Sequence, residues 1–243
     1  MGFKIGMKGC IVLPTYNERE NIGKLLENLL EIFKNIKDFD MHILVVDDNS
    51  PDRTQEIVKK FLDNKKVFLI TGDKKGLGTA YVRGFNYAVN ELKADVIFEM
   101  DADFSHKPRD IPRFLEEIRN GNDFVIGSRY VPGGEIPDWD FLRKAISAGG
   151  NFFARVVAGL YKVHDCTSGF RAIKSELIKK IDLDKLDAQG YAFQMNLLWN
   201  AVKLNAKIKE IPIIFNDRNI GKSKMRIKDL REFFFNSFKL RLK

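Results

Sequence analysis

Two carboxylates separated by a single residue, Asp101 and Asp103, directly follow a short apolar run in the sequence. The run Val96-Ile97-Phe98 is typical of a buried strand in a parallel sheet. The carboxylates would then stand at its carboxyl end, where open α/β sheets bind their ligands. Carboxylate oxygens with this spacing can hold a hard divalent cation that also binds substrate phosphates. A solvated acidic turn is the commoner explanation of an isolated Asp-x-Asp. A cation site therefore needs support from other parts of the sequence.

The elements that would position this pair alternate between apolar runs and amphipathic helical patterns. This alternation is typical of βαβ units, so it predicts an α/β fold with a mostly parallel central sheet flanked by helices. Strands are predicted at residues 9–13, 42–46, 67–70, 96–98, 124–127 and 208–215, with a loop and strand over 164–173. Helices are predicted over 18–36, 54–62, 78–91 and 193–203, and from Pro108 onward. The chain has no internal repeat or low-complexity linker, which favours a single domain.

Polar residues follow four of the predicted strands at the point where each strand ends. They are residues 14–18, Asp47-Asp48, Asp101-Ala102-Asp103 and Ser128-Arg129. Because the carboxyl ends of parallel strands share one edge of the sheet, we expect these groups to converge on one cleft. Carboxylates alone would repel a nucleotide, but a metal held by Asp101 and Asp103 reverses the local charge. Arg129, Arg218 and Lys224 could bind phosphate oxygens directly.

The net charge of +8 and the pI near 9.3 indicate an anionic partner. Nucleotide phosphates, nucleic acid and an anionic membrane surface all fit the charge. A nucleic-acid-binding protein is the alternative from a different class, but the sequence has no recognition motif of that kind and the converging carboxylates would stay unexplained. We therefore expect no nucleic-acid partner. Cys10 and Cys166 lack metal-ligand spacing and are expected to be reduced and structural.

Membrane contact is suggested by two segments of the second half of the chain. Residues 141–161 form an amphipathic stretch with Arg143, Lys144 and Arg155 among apolar positions. A core helix is the default interpretation, and a helix at a membrane interface is the alternative. Residues 232–243 are both Phe-rich and basic, which suits a membrane surface or a partner subunit. Since no apolar run reaches the ~18 residues of a spanning helix and no signal peptide is evident, we expect a cytoplasmic protein, peripheral at a membrane.

Five segments of the chain resemble, in order, the successive motifs of glycosyltransferase family 2, and within it those of the dolichol-phosphate mannose synthases. They are residues 13–21, 46–54, 100–106, 127–130 and 167–171, followed by Arg218 and Lys224. The resemblance covers nearly the whole chain. It implies a GT-A (Rossmann-like) fold with one catalytic domain over residues 1–243. Residues of about 8–130 would form the nucleotide-sugar half, and residues of about 131–243 the acceptor and interface half.

The resemblance also implies an inverting transfer of mannose from GDP-mannose to a polyprenyl phosphate, with Mg²⁺ or Mn²⁺ as cofactor. Asp101, Asp103 and Arg129 would be catalytic, with Asp103 as the firmest metal ligand and Asp101 beside it. Whether Ser105 reaches the metal is open, because some members have Gln there and Ser is a poorer ligand. The donor would be bound by Pro14, Tyr16, Glu18, Val46, Asp48, Asp101, Ala102, Asp103, Arg129, Arg218 and Lys224, and the acceptor phosphate by Arg129, Arg143 and Ser147.

Such a transfer does not require a strong general base. A phosphate monoester has a second pKa of about 6, so it is largely anionic and nucleophilic near neutral pH. This fits the scattered positions of His42, His106 and His164. Transfer of glucose or an N-acetylhexosamine from a UDP-sugar to the same lipid, or to another acceptor, is the nearest alternative. A small membrane-anchoring subunit is a further partner that the resemblance allows.

Three charged residues also have structural interpretations. Asp47 and Asp48 could be turn carboxylates that cap the helix beginning near residues 52–54. Arg171 is expected to pair with a neighbouring acid rather than to take part in catalysis.

Overall fold

The computed structural model describes residues 6–186, 190–217 and 235–242, and its centre is one seven-stranded sheet. The strands are β1 (Met7–Thr15), β2 (Phe39–Asp47), β3 (Val67–Thr71), β4 (Val96–Glu99), β5 (Phe124–Ser128), β6 (Arg171–Lys174) and β7 (Ile208–Pro212). Their order across the sheet is β3-β2-β1-β4-β6-β5-β7. Only β6 runs antiparallel to its neighbours among these strands. The predicted mostly parallel sheet is confirmed.

Helices cover the sheet on both sides. They are α1 (Arg19–Phe33), α2 (Thr54–Lys59), α3 (Leu77–Asn90), α4 (Ile111–Arg119), α5 (Phe141–Val157), α6 (Ser175–Ile178) and α7 (Gly190–Lys203). Residues 235–241 are helical as well. The predicted strand over 208–215 is too long at its end. Strand β7 ends at Pro212. The Ile213 N–H still donates to the Ser128 carbonyl of β5, but the Ile213 carbonyl and the Phe215 N–H hydrogen bond with Glu135.

The core lies on both faces of the sheet because successive strand residues are apolar. In β1, Cys10 and Val12 pack with residues of α3 and α7, whereas Ile11 and Leu13 pack with residues of α1 and α4. Helix α3 lies very close to the sheet at Gly84, where a Cβ atom would collide with the Val12 side chain. A larger residue at position 84 would push α3 away from the strand ends that it helps to arrange.

Helix α5 is packed differently from the other long helices. Among its residues only Asn151 and Ala154 are buried. Large apolar side chains are exposed along it, namely Phe141, Leu142, Ile146, Phe152 and Val156. The core-helix interpretation of this stretch therefore holds only for its buried side, and the exposed apolar face is not covered by any element of the described chain. None of the helices in the described ranges is long and apolar enough to cross a membrane.

Candidate functional site

The carboxyl ends of β1, β2, β4 and β5 lie at one edge of the sheet. Strands β1, β2 and β4 are parallel neighbours. Strand β6 is antiparallel to both β4 and β5, so β5 runs in the same direction as β4. The predicted convergence of the four strand ends is confirmed.

Asp47, at the end of β2, is fully buried and organises the loops that follow β1 and β2. Its carboxylate accepts hydrogen bonds from the Thr15 hydroxyl at 2.8 Å and from Gln55 Nε2 at 2.8 Å. The Ser50 N–H and hydroxyl donate to it at 2.9 and 2.6 Å. The Asn17 N–H donates to Ser50 Oγ at 3.0 Å, which joins the two loops. Asp47 is thus a turn carboxylate, but the expected cap of α2 is wrong for it: the Thr54 N–H at the start of α2 donates to Asp52 Oδ1 at 2.9 Å.

Asp48 forms an ion pair with Arg83 of α3. Gly72 makes room for this pair, because a Cβ atom there would collide with the Arg83 guanidinium. Burial raises the pKa of Asp48, although Arg83 opposes the shift. Two residues after Gly72 in the chain, Lys74 places its Nζ 3.2 Å from the centroid of the Tyr16 ring. Arg83 and Lys74 were not predicted from the sequence, because neither belongs to a recognisable motif.

The remaining residues expected at the donor differ in exposure. Pro14 in β1 and Glu18 just before α1 are half-buried at this edge of the sheet. Val46 is fully buried in the core on the α3 side. Arg218 and Lys224 lie outside the residues that the structure describes.

A tight turn after β4 carries the segment Asp101-Ala102-Asp103. Asp103 is buried, and its Oδ1 accepts the N–H of Ser105 at 3.0 Å, whereas the Asp101 side chain is 31% exposed. Phe104 has φ 64°, a left-handed conformation that a bulky residue adopts only where its surroundings enforce it. The backbone of this turn is therefore constrained at the two residues that carry the carboxylates.

His106 supports this turn from the core. Its ring is buried, stacks on Phe170 with 5.0 Å between centroids, and meets the edge of Phe215 at 5.6 Å. The Asp101 N–H donates to His106 Nδ1 at 3.1 Å, which places the proton of a neutral ring on Nε2. His106 thus holds the backbone of Asp101, a role that the sequence analysis did not foresee.

These residues fit a divalent cation that is coordinated partly by substrate. No group of three or more His, Cys, Asp or Glu side chains among the described residues is arranged to enclose a metal. Mg²⁺ is commonly bound by one or two carboxylates together with substrate phosphates, and Asp101 and Asp103 supply such a pair. The Ser105 hydroxyl beside them is buried with no hydrogen-bond partner in the described chain. A polar ligand of this turn would satisfy that oxygen.

Arg129, just after β5, is buried against Asp165 in the loop that precedes β6. Its Nε and Nη2 atoms donate to the two carboxylate oxygens, each at 2.7 Å, and its N–H donates at 3.0 Å. Burial disfavours both charges, but their mutual attraction outweighs it, so the pKa of Arg129 is raised and that of Asp165 is lowered. Both groups are charged at neutral pH. Asp165 was not predicted from the sequence, although it lies two residues before the motif that begins at Thr167.

The three residues expected at the acceptor phosphate lie together around two aromatic rings. The guanidinium carbons of Arg129 and Arg143 lie 5.9 and 4.0 Å from the centroid of the Trp139 ring. Ser147 Oγ accepts a hydrogen bond of 2.7 Å from the Tyr130 hydroxyl. Residues from the end of β5 and from two turns of α5 are thus brought into one region.

A pocket of about 550 Å³ opens beside Arg129. Its apolar lining includes Ile136, Pro137, Phe141, Ala145 and Ala148. Arg129 and Lys144 are the basic residues of the lining, and Glu135 is its acidic residue. An apolar pocket with basic groups suits a ligand that has an anionic head and a hydrocarbon chain.

Beneath the turn after β4, Arg171 and Glu99 form a fully buried ion pair with 3.7 Å between Nε and Oε2. Arg171 also donates to the carbonyl oxygens of Gln194 at 2.7 Å and Cys166 at 2.9 Å. Burial raises the pKa of Glu99 to about 7, with Arg171 opposing the shift. The expectation that Arg171 pairs with an acid is confirmed.

Comparisons with known proteins agree with this arrangement. The model of glycosyl transferase family 2 matches residues 10–182. The chain is similar to polyprenol monophosphomannose synthase of Mycolicibacterium smegmatis, 39% identical over 228 residues, covering 93% of this chain and 83% of the relative. It is 39% identical over 221 residues to undecaprenyl-phosphate mannosyltransferase of Micrococcus luteus, covering 90% and 88%. Against dolichol-phosphate mannosyltransferase of Pyrococcus furiosus the identity is 36% over 236 residues, covering 96% and 64%.

Solved structures share the fold. Glucosyl-3-phosphoglycerate synthase of Mycobacterium tuberculosis, in complex with phosphoglyceric acid, has a TM-score of 0.69 at 18% identity and covers 97% of this chain and 80% of that one. Its complex with Mn²⁺, UDP and glucosyl-3-phosphoglycerate has a TM-score of 0.67, covering 98% and 79%. These likenesses confirm the expected GT-A fold. Since the family model matches more than half of the chain, the protein belongs to glycosyltransferase family 2 and is a glycosyltransferase.

Proposed function

We propose that this glycosyltransferase moves mannose from GDP-mannose to a polyprenyl phosphate, with inversion and with the help of Mg²⁺ or Mn²⁺. One observation carries the proposal: the same edge of the sheet holds an Asp-x-Asp turn and, next to it, a basic group opening on an apolar pocket. A nucleotide sugar suits the first, and a lipid phosphate suits the second. Relatives at 36–39% identity are mannose-phosphate synthases or mannosyltransferases of polyprenol, undecaprenyl phosphate and dolichol phosphate, which supports mannose as the sugar and a polyprenyl phosphate as the acceptor.

The nucleotide-sugar half, residues of about 8–130, supplies the donor site in this proposal. Asp48 and Arg83 offer an acceptor and a donor side by side, which matches the paired N–H and carbonyl groups on one edge of guanine. Tyr16 offers a flat ring near them. Asp101 and Asp103 would hold the cation, which when bound neutralises the departing diphosphate.

Further residues would contact the donor at the same edge of the sheet. Pro14 and Glu18 would complete the nucleotide site at the strand ends, with the buried Val46 and Ala102 beneath it. Arg218 and Lys224 would bind the charged part of the donor.

The acceptor half, residues of about 131–243, would receive the lipid. Arg129, Arg143 and Ser147 would bind its phosphate, and the isoprenoid chain would enter the apolar pocket. The phosphate oxygen is already anionic near neutral pH, so it can attack the anomeric carbon without a general base. Accordingly, the work of these side chains is to align the phosphate and to offset its charge.

Peripheral attachment to a membrane, with or without a small anchoring subunit, would bring the enzyme to such a lipid. The exposed apolar face of α5 supports this proposal. The Phe153 and Phe238 rings meet at 5.6 Å, so residues 235–242 extend the same face with further exposed apolar side chains. Arg155 and Arg241 add positive charge there, which favours the anionic cytoplasmic leaflet.

The proposal is tested by product formation with radiolabelled donors. GDP-mannose, polyprenyl phosphate and Mn²⁺ should give a lipid-extractable mannosyl product, whereas UDP-glucose and UDP-N-acetylglucosamine should not. GDP should also raise the melting temperature more than UDP does, because a ligand stabilises the state that binds it. A lipid product from a UDP-sugar alone would overturn the mannose and GDP assignments.

A further inference from the structure

Asn151 connects α5 to the loop that precedes β6. Its Nδ2 donates to the Thr167 hydroxyl and to the Ser147 carbonyl, each at 3.2 Å. Its Oδ1 accepts the N–H of Cys166 at 2.8 Å. Asn151 is 3% exposed, and α5 has only one other buried residue, so these bonds are a main attachment of the helix.

The Thr167 hydroxyl links this attachment to Arg129. It accepts hydrogen bonds from Arg129 Nη2 at 2.9 Å and from Asn151 Nδ2 at 3.2 Å. A hydroxyl has two acceptor sites and one proton, so its proton is directed toward Asp165 Oδ1 at 3.4 Å. Every hydrogen-bonding site of this oxygen is therefore used.

These contacts join the two elements that carry opposite walls of the pocket beside Arg129, although Asn151 and Thr167 do not line the pocket themselves. Arg129 belongs to one wall, and Phe141, Lys144 and Ala148 of α5 belong to the other. A shift of α5 relative to the loop would change the separation of the basic groups that face the ligand. The sequence gives no sign of this link, because its members come from separate segments.

We propose that Asn151 and Thr167 are positioning residues that fix Arg129 and α5 relative to each other and thereby set the affinity of the pocket for an isoprenyl phosphate. This inference rests on the proposed function. Loss of the Thr167 hydroxyl leaves both hydrogen bonds between the Arg129 side chain and Asp165 in place, so the buried charge stays paired. The donor site, built on β1, β2 and β4, should be affected little.

The test compares Thr167→Val, which keeps the shape and removes the hydroxyl, with Thr167→Ser, which keeps the hydroxyl. Calorimetry with farnesyl phosphate and, separately, with GDP and Mn²⁺ measures the two sites without requiring turnover. We expect T167V to raise the Kd for farnesyl phosphate about tenfold, as the loss of a hydrogen bond to a charged group would. T167S should restore wild-type binding, and GDP binding should change less than about twofold in both.

Asn151→Ala provides a second variant in case T167V does not fold. It should weaken the binding of farnesyl phosphate to a similar degree. Because the two residues act through one contact, the N151A/T167V double variant should have about the same affinity for farnesyl phosphate as the single variant that binds it more weakly. The inference would be overturned if T167V and T167S bound farnesyl phosphate equally, or if the effects of N151A and T167V on its binding were additive. Weakening of GDP binding to the same degree as farnesyl phosphate binding would also overturn it. So would a wild-type protein that does not bind farnesyl phosphate. A wild-type protein that binds it but transfers no mannose would instead overturn the proposed function.

Discussion

Arg129 and Asp165 form a buried, two-pronged ion pair, with 2.7 Å from Nε to Oδ2 and 2.7 Å from Nη2 to Oδ1, although 36 residues separate them in the chain. The pair joins the end of β5 to the loop before β6. Glu210 of β7 holds that loop in turn, since its Oε1 accepts the N–H of Asp165 at 2.9 Å. Arg129 is consequently fixed before any substrate arrives, which lowers the cost of ordering a phosphate ligand.

Removing one partner of this pair should destabilise the fold strongly. We expect Asp165→Asn to lower the free energy of unfolding by about 3–5 kcal/mol, because the Arg129 charge stays buried without its counter-ion. Asp38→Asn is the matched control, since Asp38 pairs with Arg119 at 2.8 Å on the surface and should cost no more than about 1 kcal/mol. Urea denaturation measures both. Similar losses in the two variants would contradict a dominant role for the buried pair.

The same pair predicts a pH dependence of stability. The pKa of Asp165 in the folded protein lies below its ordinary value of about 3.9, so the ionised carboxylate stabilises the native state at pH values above that. This contribution is lost as the pH falls from about 4 through the folded pKa. The difference in unfolding free energy between wild type and D165N should therefore be constant from about pH 5 to 7 and shrink below about pH 4. A difference that grows on acidification would contradict this sign.

The Asp-x-Asp turn should govern metal dependence. We expect Asp103→Asn to raise the Mn²⁺ concentration for half-maximal activity at least tenfold, and Asp101→Asn to do so as well, because each replaces a charged oxygen ligand. Both variants keep the side-chain shape. Asp63→Asn, on an exposed carboxylate far from the strand ends, should behave as wild type. Activity that survives chelation of divalent cations would argue against the cation altogether.

Ser105 offers a test that does not depend on turnover. Its hydroxyl is buried without a hydrogen-bond partner in the described residues, which costs free energy. We therefore expect Ser105→Ala to raise the free energy of unfolding of the metal-free protein by about 1 kcal/mol. A loss of stability would mean that the hydroxyl is bonded in solution. A weaker response of the S105A melting temperature to added Mn²⁺ would then show whether position 105 contacts the cation.

The apolar face of α5 should determine membrane binding. Phe141 is 87% and Leu142 69% exposed, and each would gain about 1.5–3 kcal/mol on entering an apolar phase. The double variant F141S/L142S should therefore bind anionic vesicles at least tenfold more weakly in a sedimentation assay. Leu62→Ser and Leu204→Ser, on exposed residues away from α5, are the controls and should have no effect. An equal loss of vesicle binding in the two controls would contradict the role of the α5 face in membrane binding.

The sequence by itself determined the architecture and half of the site. Apolar runs and turn residues are local signals, and they indicate strands whose carboxyl ends carry Asp47, Asp48, Asp101, Asp103 and Arg129. Parallel pairing then places those ends at one edge of the sheet, so this common edge could be predicted from the sequence. What each carboxylate does there was not predictable, since Asp47 binds loop donors and Asp48 binds Arg83 only after folding.

Only the tertiary structure decided which charges are paired and which surfaces are covered. Asp165, Asn151 and Thr167 approach Arg129 through loop and helix packing at long sequence separation, which leaves no periodic trace in the chain. The amphipathic pattern of α5 made a core helix the default interpretation and an interfacial helix the alternative, because periodicity shows that one face is apolar but not what lies against it. Burial and ion pairing depend on contacts between distant segments, and those contacts exist only in the folded chain.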